Sequence, residues 1–363
     1  MYKRQGLHAP ELLKDAQKAV DILTEKIAQH KKIRIIGDYD IDGICSITIL
    51  YKALKKAGAD VDYVVPHRIT DGYGINEHLI DNAAAEGKDT ILTCDNGIAA
   101  IDEIAWAKAQ KMTVLVTDHH AVPFEEHEGR RTEKKSLADA VVNPHQQDCG
   151  YPYKELCGAG VAWNVIRVLY ENYDMDKREA EDLLDFVAMA TVCDVMSLTG
   201  ENRILVKEGL KRIRHTKNIG LQALMQACNV QPENISAYHF GYVLGPCVNA
   251  TGRLDTARHA LRLFETGQET EAEEIARDLV DLNQERKELT LQGVEMAKKL
   301  CEEGGYENDP VLVLFLPDVH ESIAGLIAGR IREMYNRPVF VLTRGEEGVK
   351  GSGRSTENYS MYE

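Results

Sequence analysis

Acidic and imidazole side chains follow three short apolar segments of this chain, in positions where they could bind divalent metal ions. The apolar segments are residues 31–37, 90–94 and 113–117, and a longer apolar stretch covers 183–193. The side chains that follow them are Asp38, Asp40, Asp42, Asp95, Asp118, His119, His120 and Asp194. Ligands of open parallel sheets gather at the carboxyl ends of the strands, so we expect these groups to converge.

Convergence of several carboxylates requires a compensating positive charge, because like charges a few ångströms apart repel strongly in a partly dry site. Asp40, Asp42, Asp95 and Asp194 would balance two divalent cations. Oxygen ligands with one or two imidazoles suit Mn²⁺ or Mg²⁺ better than a closed zinc site. Two such ions about 4 Å apart hold the attacking and leaving oxygens of a displacement at phosphorus. The pattern therefore predicts a metal-dependent phosphoesterase.

Each of these aspartates also fits a purely structural role when it is taken alone. An aspartate directly after a strand is most often a helix cap or a turn former, and we expect Asp38 to be partly structural. Adjacent histidines such as His119 and His120 also occur in ordinary loops. Three acidic strand ends in series, the third with two histidines, favour the metal site.

The elements that must position these groups alternate between strand and helix. Apolar strand cores alternating with helical segments are typical of an α/β fold with a parallel sheet covered on both faces. The predicted strands are 31–37, 61–65, 90–94, 113–117, 138–142, 311–315 and 338–342, with a further one starting near 348. The predicted helices include 11–30, 43–57, 76–86, 99–110 and 320–335. A long charged helix is predicted from about 268 to 301, and residues 124–136 read as a polar loop.

A chain of 363 residues exceeds what one hydrophobic core usually serves, so we expect more than one domain. The predicted division is an N-terminal helix in 1–30, a catalytic domain in 31–215, a helical region with a connecting helix in 216–301, and a smaller α/β domain in 302–363. The last residues do not resemble a domain end. We therefore expect the second domain to be incomplete and the chain to be a fragment.

Composition narrows the cellular setting and the class of partner. The net charge of -15 argues against a wholly basic nucleic-acid-binding surface, although it allows a local basic channel. No apolar run approaches the roughly 20 residues of a membrane span, and no apolar signal core follows Met1. The eight cysteines are scattered singly, which is typical of reduced thiols in a cytoplasmic protein; a zinc site from Cys149 and Cys157 is the less favoured alternative.

Four motifs in series resemble those of the DHH phosphoesterase family, and within it the RecJ-type single-strand-specific exonucleases. They are residues 37–43 (GDYDIDG), 94–98 (CDNGI), 116–120 (VTDHH) and 190–195 (ATVCDV). Segments 66–74, 143–160 and 249–253 resemble RecJ proteins more than DHH proteins in general, and residues 320–355 resemble the DHH-associated domain. The chain departs from the RecJ pattern in lacking the OB-type domain and the last part of the DHH-associated domain. It also has Ser322 where the family usually has glycine.

The resemblance implies roles for individual residues. The implied metal ligands are Asp40, Asp42, Asp95, His119 and Asp194, holding two Mn²⁺ or Mg²⁺ ions. The implied catalytic residues are His120 beside the scissile phosphate, Asp118 as the support of the histidine pair, and Asp95. The implied phosphate-binding residues are Arg68, Arg253, His320, Ser352 and Arg354. Arginine offers a planar fork that matches phosphate oxygens, which supports this last assignment independently.

The activity that the resemblance implies is 5′ to 3′ exonuclease action on single-stranded DNA, by a two-metal mechanism, in repair and recombination. The implied partners are single-stranded DNA, single-strand-binding protein and repair helicases, with a monomeric chain and no membrane. The alternative enzyme is a DHH phosphodiesterase acting on cyclic dinucleotides or short oligonucleotides. The alternative of another class is a non-catalytic DHH-type scaffold, which the full set of expected ligands disfavours.

Overall fold

The chain forms two compact units in a computed structural model that describes residues 6–68, 71–127, 130–254, 256–306, 309–345, 348–357 and 359. The first unit comprises Met1–Gly252 and Thr256–Asp278, and the second comprises Arg253–Asp255 and Leu279–Glu363. The domain limits drawn from the sequence remain a prediction. None of the helices in the described part of the chain combines the length and hydropathy that a bilayer crossing requires.

A five-stranded parallel sheet forms the centre of the first unit. Its strands are β1 (Lys32–Gly37), β2 (Asp60–Val64), β3 (Thr90–Cys94), β4 (Thr113–Thr117) and β7 (Ala140–Val142). Their spatial order is β2-β1-β3-β4-β7. All five residues of β3 are buried, as are the last five of β1, because helices cover both faces of a parallel sheet. The α/β class predicted from the alternation of apolar segments is confirmed.

Helices account for most of the remaining residues of the first unit. They are α1 (Ala16–Ala28), α2 (Ile41–Lys56), α3 (Glu77–Ala85), α4 (Ile101–Ala109), α5 (Gly158–Asn172), α6 (Lys177–Glu181), α7 (Leu184–Cys193), α8 (Gly200–Ile213), α9 (Ile219–Ala227), α10 (Ala237–His239), α11 (Gly245–Leu254) and α12 (Ala257–Glu265). The last two residues of α11 belong to the second unit. A π-helical turn, Phe240–Leu244, joins α10 to α11. The long helix α13 (Glu269–Gly304) begins in the first unit and continues into the second.

The second unit contains a three-stranded sheet and one helix packed on it. Its elements are β8 (Leu312–Phe315), α14 (Glu321–Tyr335), β9 (Val339–Gly345) and β10 (Gly348–Arg354), with the strands in the order β10-β9-β8. β8 and β9 are parallel, whereas β9 and β10 are antiparallel. Its core joins Ala297 and Cys301 of α13 to Ile327 of α14 and to the inward residues of β8 and β9.

The prediction of a polar loop at 124–136 is wrong in one respect. Two short antiparallel strands, β5 (Phe124–His127) and β6 (Arg130–Glu133), form a hairpin there. The guanidinium carbon of Arg131 lies 4.4 Å from the ring centroid of Phe124, and Glu125 and Lys134 form an ion pair. Cross-strand pairs of this kind stabilise a hairpin that has no alternating apolar face, so hydrophobic periodicity could not reveal it.

Candidate active site

Strand register brings the acidic residues of the first unit to one edge of the sheet. Gly37 pairs with Cys94, and Cys94 pairs with Thr117, so β1, β3 and β4 end at the same level. The residues that follow these strands are Asp38, Asp95 and Asp118, and each is at most 3% exposed. Three carboxyl groups therefore lie side by side at the carboxyl edge of the sheet.

The loop after β1 supplies two more carboxylates, and both also stabilise helix ends. Asp40 is the N-cap of α2, where its side chain accepts hydrogen bonds from the backbone N–H groups of Asp42 and Gly43. The two carboxylate oxygens of Asp42 accept from Gly158 and Ala159 at the start of α5, at 2.6 and 2.8 Å. These bonds fix both side chains before any ligand binds.

Asp95 occupies a strained backbone position at the centre of the site. Its φ of 59° is left-handed, which is uncommon outside glycine and asparagine, and such residues cluster at functional sites. Its Oδ1 is fully buried and has no hydrogen-bond partner. A Cβ on Gly158 would lie 2.8 Å from the Cβ of Asp95 and 2.9 Å from its Oδ1, so only glycine permits this approach of α5.

His119 points its Nε2 atom into the acidic cluster. That nitrogen lies 3.1 Å from Asp95 Oδ1, 3.6 Å from Asp42 Oδ2 and 3.8 Å from Asp194 Oδ2. Asp194 is the C-cap of the buried helix α7, which carries it to the cluster from outside the sheet. One imidazole nitrogen and three carboxylate oxygens thus surround a small volume, a donor set suited to a divalent cation.

Asp118 and His120 form a hydrogen-bonded pair beside this volume. Asp118 Oδ1 accepts from the backbone N–H groups of His119 and His120 and, at 2.8 Å, from His120 Nδ1; Asp118 Oδ2 accepts from Ile98. Burial acts to raise the pKa of Asp118, but the bonds from His120 and the backbone outweigh it and the pKa is lowered. The carboxylate therefore stays ionised and holds the proton on His120 Nδ1.

The bond to Asp118 also raises the pKa of His120, despite the opposing effect of burial. The imidazole side chain is 46% exposed, so Nε2 remains available to a substrate. Tyr73 borders the same ring: its hydroxyl lies 3.4 Å from both ring nitrogens of His120 and donates to the backbone carbonyl of Asp95 at 2.8 Å.

The buried carboxylates of this cluster repel one another. Burial, then repulsion by Asp42 and Asp40, raises the pKa of Asp194 to about 7. Burial, then repulsion by Asp40, raises the pKa of Asp38 to about 8. The pKa values of Asp40 and Asp95 are raised by the same two causes. A divalent cation would relieve this repulsion and would satisfy the buried Oδ1 of Asp95, so the residues fit the metal that the sequence predicts.

Three groups of side chains have ligand atoms close enough to share an ion. They are Asp95 with His119 and His120, Asp42 with His119 and Asp194, and Asp38 with Asp40 and Asp95. The five metal ligands predicted from sequence all lie in these groups. Their roles as ligands remain predictions.

Two residues near the cluster, Asn249 and Tyr73, were given no role in the site from the sequence, and a third, Asp38, was given only a partial one. Asp38, expected to be partly structural, lies within the group of potential ligands, and its buried Oδ1 has no hydrogen-bond partner. Asn249 Oδ1 accepts from the backbone N–H of Ile41 and so fixes the loop between Asp40 and Asp42. Tyr73 contacts His120. Their motifs were recognised, but contacts made across the fold have no signal in local spacing.

The five predicted phosphate-binding residues divide between the two units. In the first unit, Arg68 packs 4.6 Å from the ring centroid of Tyr39, and its charge offsets a small part of the rise in the pKa of Asp38. The other four belong to the second unit. Arg253 donates to the carbonyl of Ser322 at 2.8 Å, and His320 is the N-cap of α14, with its Nδ1 2.7 Å from the Ser322 hydroxyl.

Ser352 and Arg354 lie together on β10. An Arg354 nitrogen donates to the Ser352 hydroxyl at 3.1 Å. A Cβ on Gly325 would lie 2.7 Å from Arg354 Nη2 and 2.8 Å from Ser352 Oγ, so α14 presents a bare backbone to both side chains. Burial, then the nearby Arg332, lowers the pKa of Arg354. Two neighbouring guanidinium groups favour an anion, and Arg332 was not identified from the sequence.

Comparison with known proteins yields one consistent family. The family description "DHH family, N-terminal domain" matches residues 32–191. The single-stranded-DNA-specific exonuclease RecJ of Haemophilus influenzae is 36% identical over 366 residues, which cover 97% of this chain and 62% of that protein. The chain therefore spans about three fifths of the length of this relative.

Two solved structures of RecJ proteins support the same family. A crystal structure of exonuclease RecJ bound to manganese superposes with a TM-score of 0.81 at 34% identity, covering 96% of this chain and 84% of that one. A crystal structure of RecJ from Thermus thermophilus in complex with Mn²⁺ gives a TM-score of 0.80 at 33% identity, covering 96% of this chain and 48% of that one.

The parallel sheet and its cluster of aspartates and histidines are those of a DHH-type phosphoesterase domain. The likeness extends through the second unit, because it covers 96% of the chain at 34% identity. The chain belongs to the RecJ branch of the DHH family.

Proposed function

We propose that this chain hydrolyses phosphodiester bonds in single-stranded DNA and releases 5′-mononucleotides from the 5′ end. The observation that carries the proposal is the convergence of His119 Nε2 with carboxylate oxygens of Asp42, Asp95 and Asp194 within 3.8 Å of it. The choice of single-stranded DNA rests on the RecJ relatives, which bear that specificity in their names.

The metal ligands in this proposal are Asp40, Asp42, Asp95, His119 and Asp194, and the proposed ions are two Mn²⁺ or Mg²⁺. The choice of ions is supported by oxygen-rich donors and by RecJ structures that contain Mn²⁺ and Mg²⁺. When bound, such ions activate water and stabilise the charge that develops on a phosphoryl group.

His120 is the proposed proton donor and phosphate contact. Because Asp118 accepts the Nδ1 proton, Nε2 is the nitrogen that faces the substrate. The raised pKa of His120 favours the imidazolium form, which can donate a hydrogen bond to a phosphate oxygen and a proton to the departing oxygen. Tyr73 limits the rotation of the ring and so keeps Nε2 in position.

Phosphate binding is proposed for Arg68, Arg253, His320, Ser352 and Arg354. The lowered pKa of Arg354 reflects the cost of burying its charge and then of holding it near Arg332, a cost that a phosphate would offset. The first unit would be the catalytic DHH domain, and the second a DHH-associated domain. DNA repair and recombination in the cytoplasm is the proposed setting, with a monomeric chain acting beside single-strand-binding protein and helicases.

Digestion of labelled DNA tests the proposal. With Mn²⁺, a single strand labelled at its 5′ end should release labelled mononucleotide at once, whereas a 3′ label should appear in mononucleotide only at the end of digestion. Blunt duplex DNA should be degraded far more slowly. A length series from a dinucleotide to a 40-mer, and a cyclic dinucleotide, complete the set. Preference for dimers or cyclic dinucleotides would contradict the exonuclease proposal, and inactivity on every substrate would favour a scaffold.

A further inference from the structure

Two exposed tyrosines of the first unit stack on each other near the metal candidate Asp194. The ring centroids of Tyr238 and Tyr242 are 5.1 Å apart, with 24° between the ring planes. The residues are 62% and 72% exposed, more than any other tyrosine that the structure describes. Within the described residues, neither hydroxyl makes a hydrogen bond, so the pair presents flat aromatic surface to solvent.

Buried side chains anchor the backbone under this pair. The π-helical turn Phe240–Leu244 carries Tyr242, and the preceding turn carries Tyr238. Phe240 and Leu244 are completely buried, so the segment is anchored by its apolar residues while the two tyrosines point outward. π-Turns are rare and occur frequently at functional sites.

The same turn packs against the helix end that carries Asp194. The thiol of Cys193 donates to the carbonyl of Phe240 at 3.2 Å. Cys193 is the last residue of α7, and Asp194 is its C-cap. The aromatic pair is therefore connected through one partly buried hydrogen bond to the residue directly before a proposed metal ligand.

We propose that the Tyr238–Tyr242 pair is a stacking platform for bases of the single-stranded substrate, a proposal that rests on the function proposed above. Every base has an aromatic face, so a flat ring pair binds any sequence, as a non-specific exonuclease requires. A duplex hides its base faces within its own stack, so the platform favours single strands. Tyrosine is well suited because its rigid ring loses little conformational entropy on binding.

Strand binding by variants tests the platform. Without added metal, so that the probe survives, the affinity of the chain for a fluorescent 20-mer of deoxythymidine is compared between the parent and Tyr238→Ala/Tyr242→Ala. The double variant should bind about tenfold more weakly, within the range for loss of one base–aromatic stack. The matched control Tyr238→Phe/Tyr242→Phe keeps both rings and should bind as the parent does. The loss should persist at high salt, which screens phosphate contacts but not stacking.

Photo-crosslinking tests the same proposal in the parent chain, independently of any effect of the variants on folding. Oligonucleotides with 5-iodouracil at successive positions should crosslink to Tyr238 or Tyr242 from a narrow set of positions, as identified by mass spectrometry. Equal affinity of the alanine variant, or crosslinks that avoid both tyrosines, overturns the platform while leaving exonuclease activity intact. A parent chain that neither binds nor degrades single strands overturns the proposed function and the platform together. Binding of a protein partner at the pair, without crosslinks to DNA, also overturns the platform.

Discussion

Replacing Asp95 with asparagine should have opposite effects on stability and on activity. Asparagine has nearly the same shape and tolerates a φ of 59°, whereas alanine would add backbone strain there. The substitution removes one negative charge from a buried cluster in which the Asp95 pKa is raised by burial and by repulsion from Asp42 and Asp40. Without metal, the variant should therefore be more stable than the parent at neutral and alkaline pH.

The sign and the size of this stability difference follow from proton linkage. A carboxyl group whose pKa is higher in the folded state binds more protons when folded, so stability falls as pH rises above the unfolded pKa. Each pH unit of that interval costs about 1.4 kcal/mol for one proton. Above pH 6 the parent should therefore lose at most about 1.4 kcal/mol per pH unit relative to the variant, which lowers its Tm by roughly 3–5 °C per unit. Neighbouring acids share the protons, so this value is an upper bound.

Thermal unfolding with and without Mn²⁺ provides the assay. At a hundredfold excess over Kd, an ion that binds only the folded chain adds about 2.7 kcal/mol to the stability of the parent. Asp95→Asn should lose most of that gain, and its nuclease activity should fall by roughly two orders of magnitude or more. A variant that keeps the full Mn²⁺ effect, or that is less stable than the parent without metal at pH 8, would refute the reasoning.

Two further predictions concern other buried carboxylates. Asp118→Asn should reduce activity roughly 10- to 100-fold. It should also move the alkaline limb of the pH–rate profile to lower pH, because His120 loses the partner that raises its pKa. The effect of Mn²⁺ on Tm should survive, and an unshifted alkaline limb would contradict the role of His120 as proton donor. Asp185 is buried and accepts a hydrogen bond from Thr216, and burial raises its pKa to about 6, so the free energy of unfolding decreases as the pH rises from about 4 to about 6. In saturating Mn²⁺, Asp185→Asn should reduce that decrease by roughly 3 kcal/mol, as measured by urea unfolding. Parallel pH dependences of the parent and the variant would falsify the assignment.

Much of the site was predictable because each acidic motif directly follows a strand that the sequence also predicts. The apolar segments ending at Gly37, Cys94 and Thr117 are short, rich in β-branched residues and separated by helical segments, which fixes a parallel sheet. Since parallel strands end at a common edge, the order of acidic residues along the chain translates directly into proximity. The same reasoning located Asp194 only as an apolar-helix terminus; its approach to His119 depends on helix packing that periodicity does not encode.

The division of roles among the aspartates was less predictable, because it depends on individual hydrogen bonds. Asp40 caps α2 and Asp42 binds the start of α5, so the structural interpretation and the metal interpretation both apply to them. Asp38 and Asp95 each keep a buried oxygen without a partner. An aspartate after a strand has the same sequence signature in every case, and only the structure shows which oxygens are already used.

The contrast between Asp118 and Asp95 explains how adjacent buried carboxylates can serve different chemistry. Both are at most 2% exposed. Asp118 accepts four hydrogen bonds, which stabilise its charge and lower its pKa. Asp95 Oδ1 accepts no hydrogen bond, although His119 Nε2 lies 3.1 Å away, and the pKa of Asp95 is raised by burial and then by repulsion from Asp42 and Asp40. The first carboxylate therefore needs no cation and can orient His120. The Asp95 carboxylate is stable as an anion only beside a cation. Because it has fewer hydrogen bonds than the Asp118 carboxylate, metal binding is favoured at Asp95 rather than at Asp118.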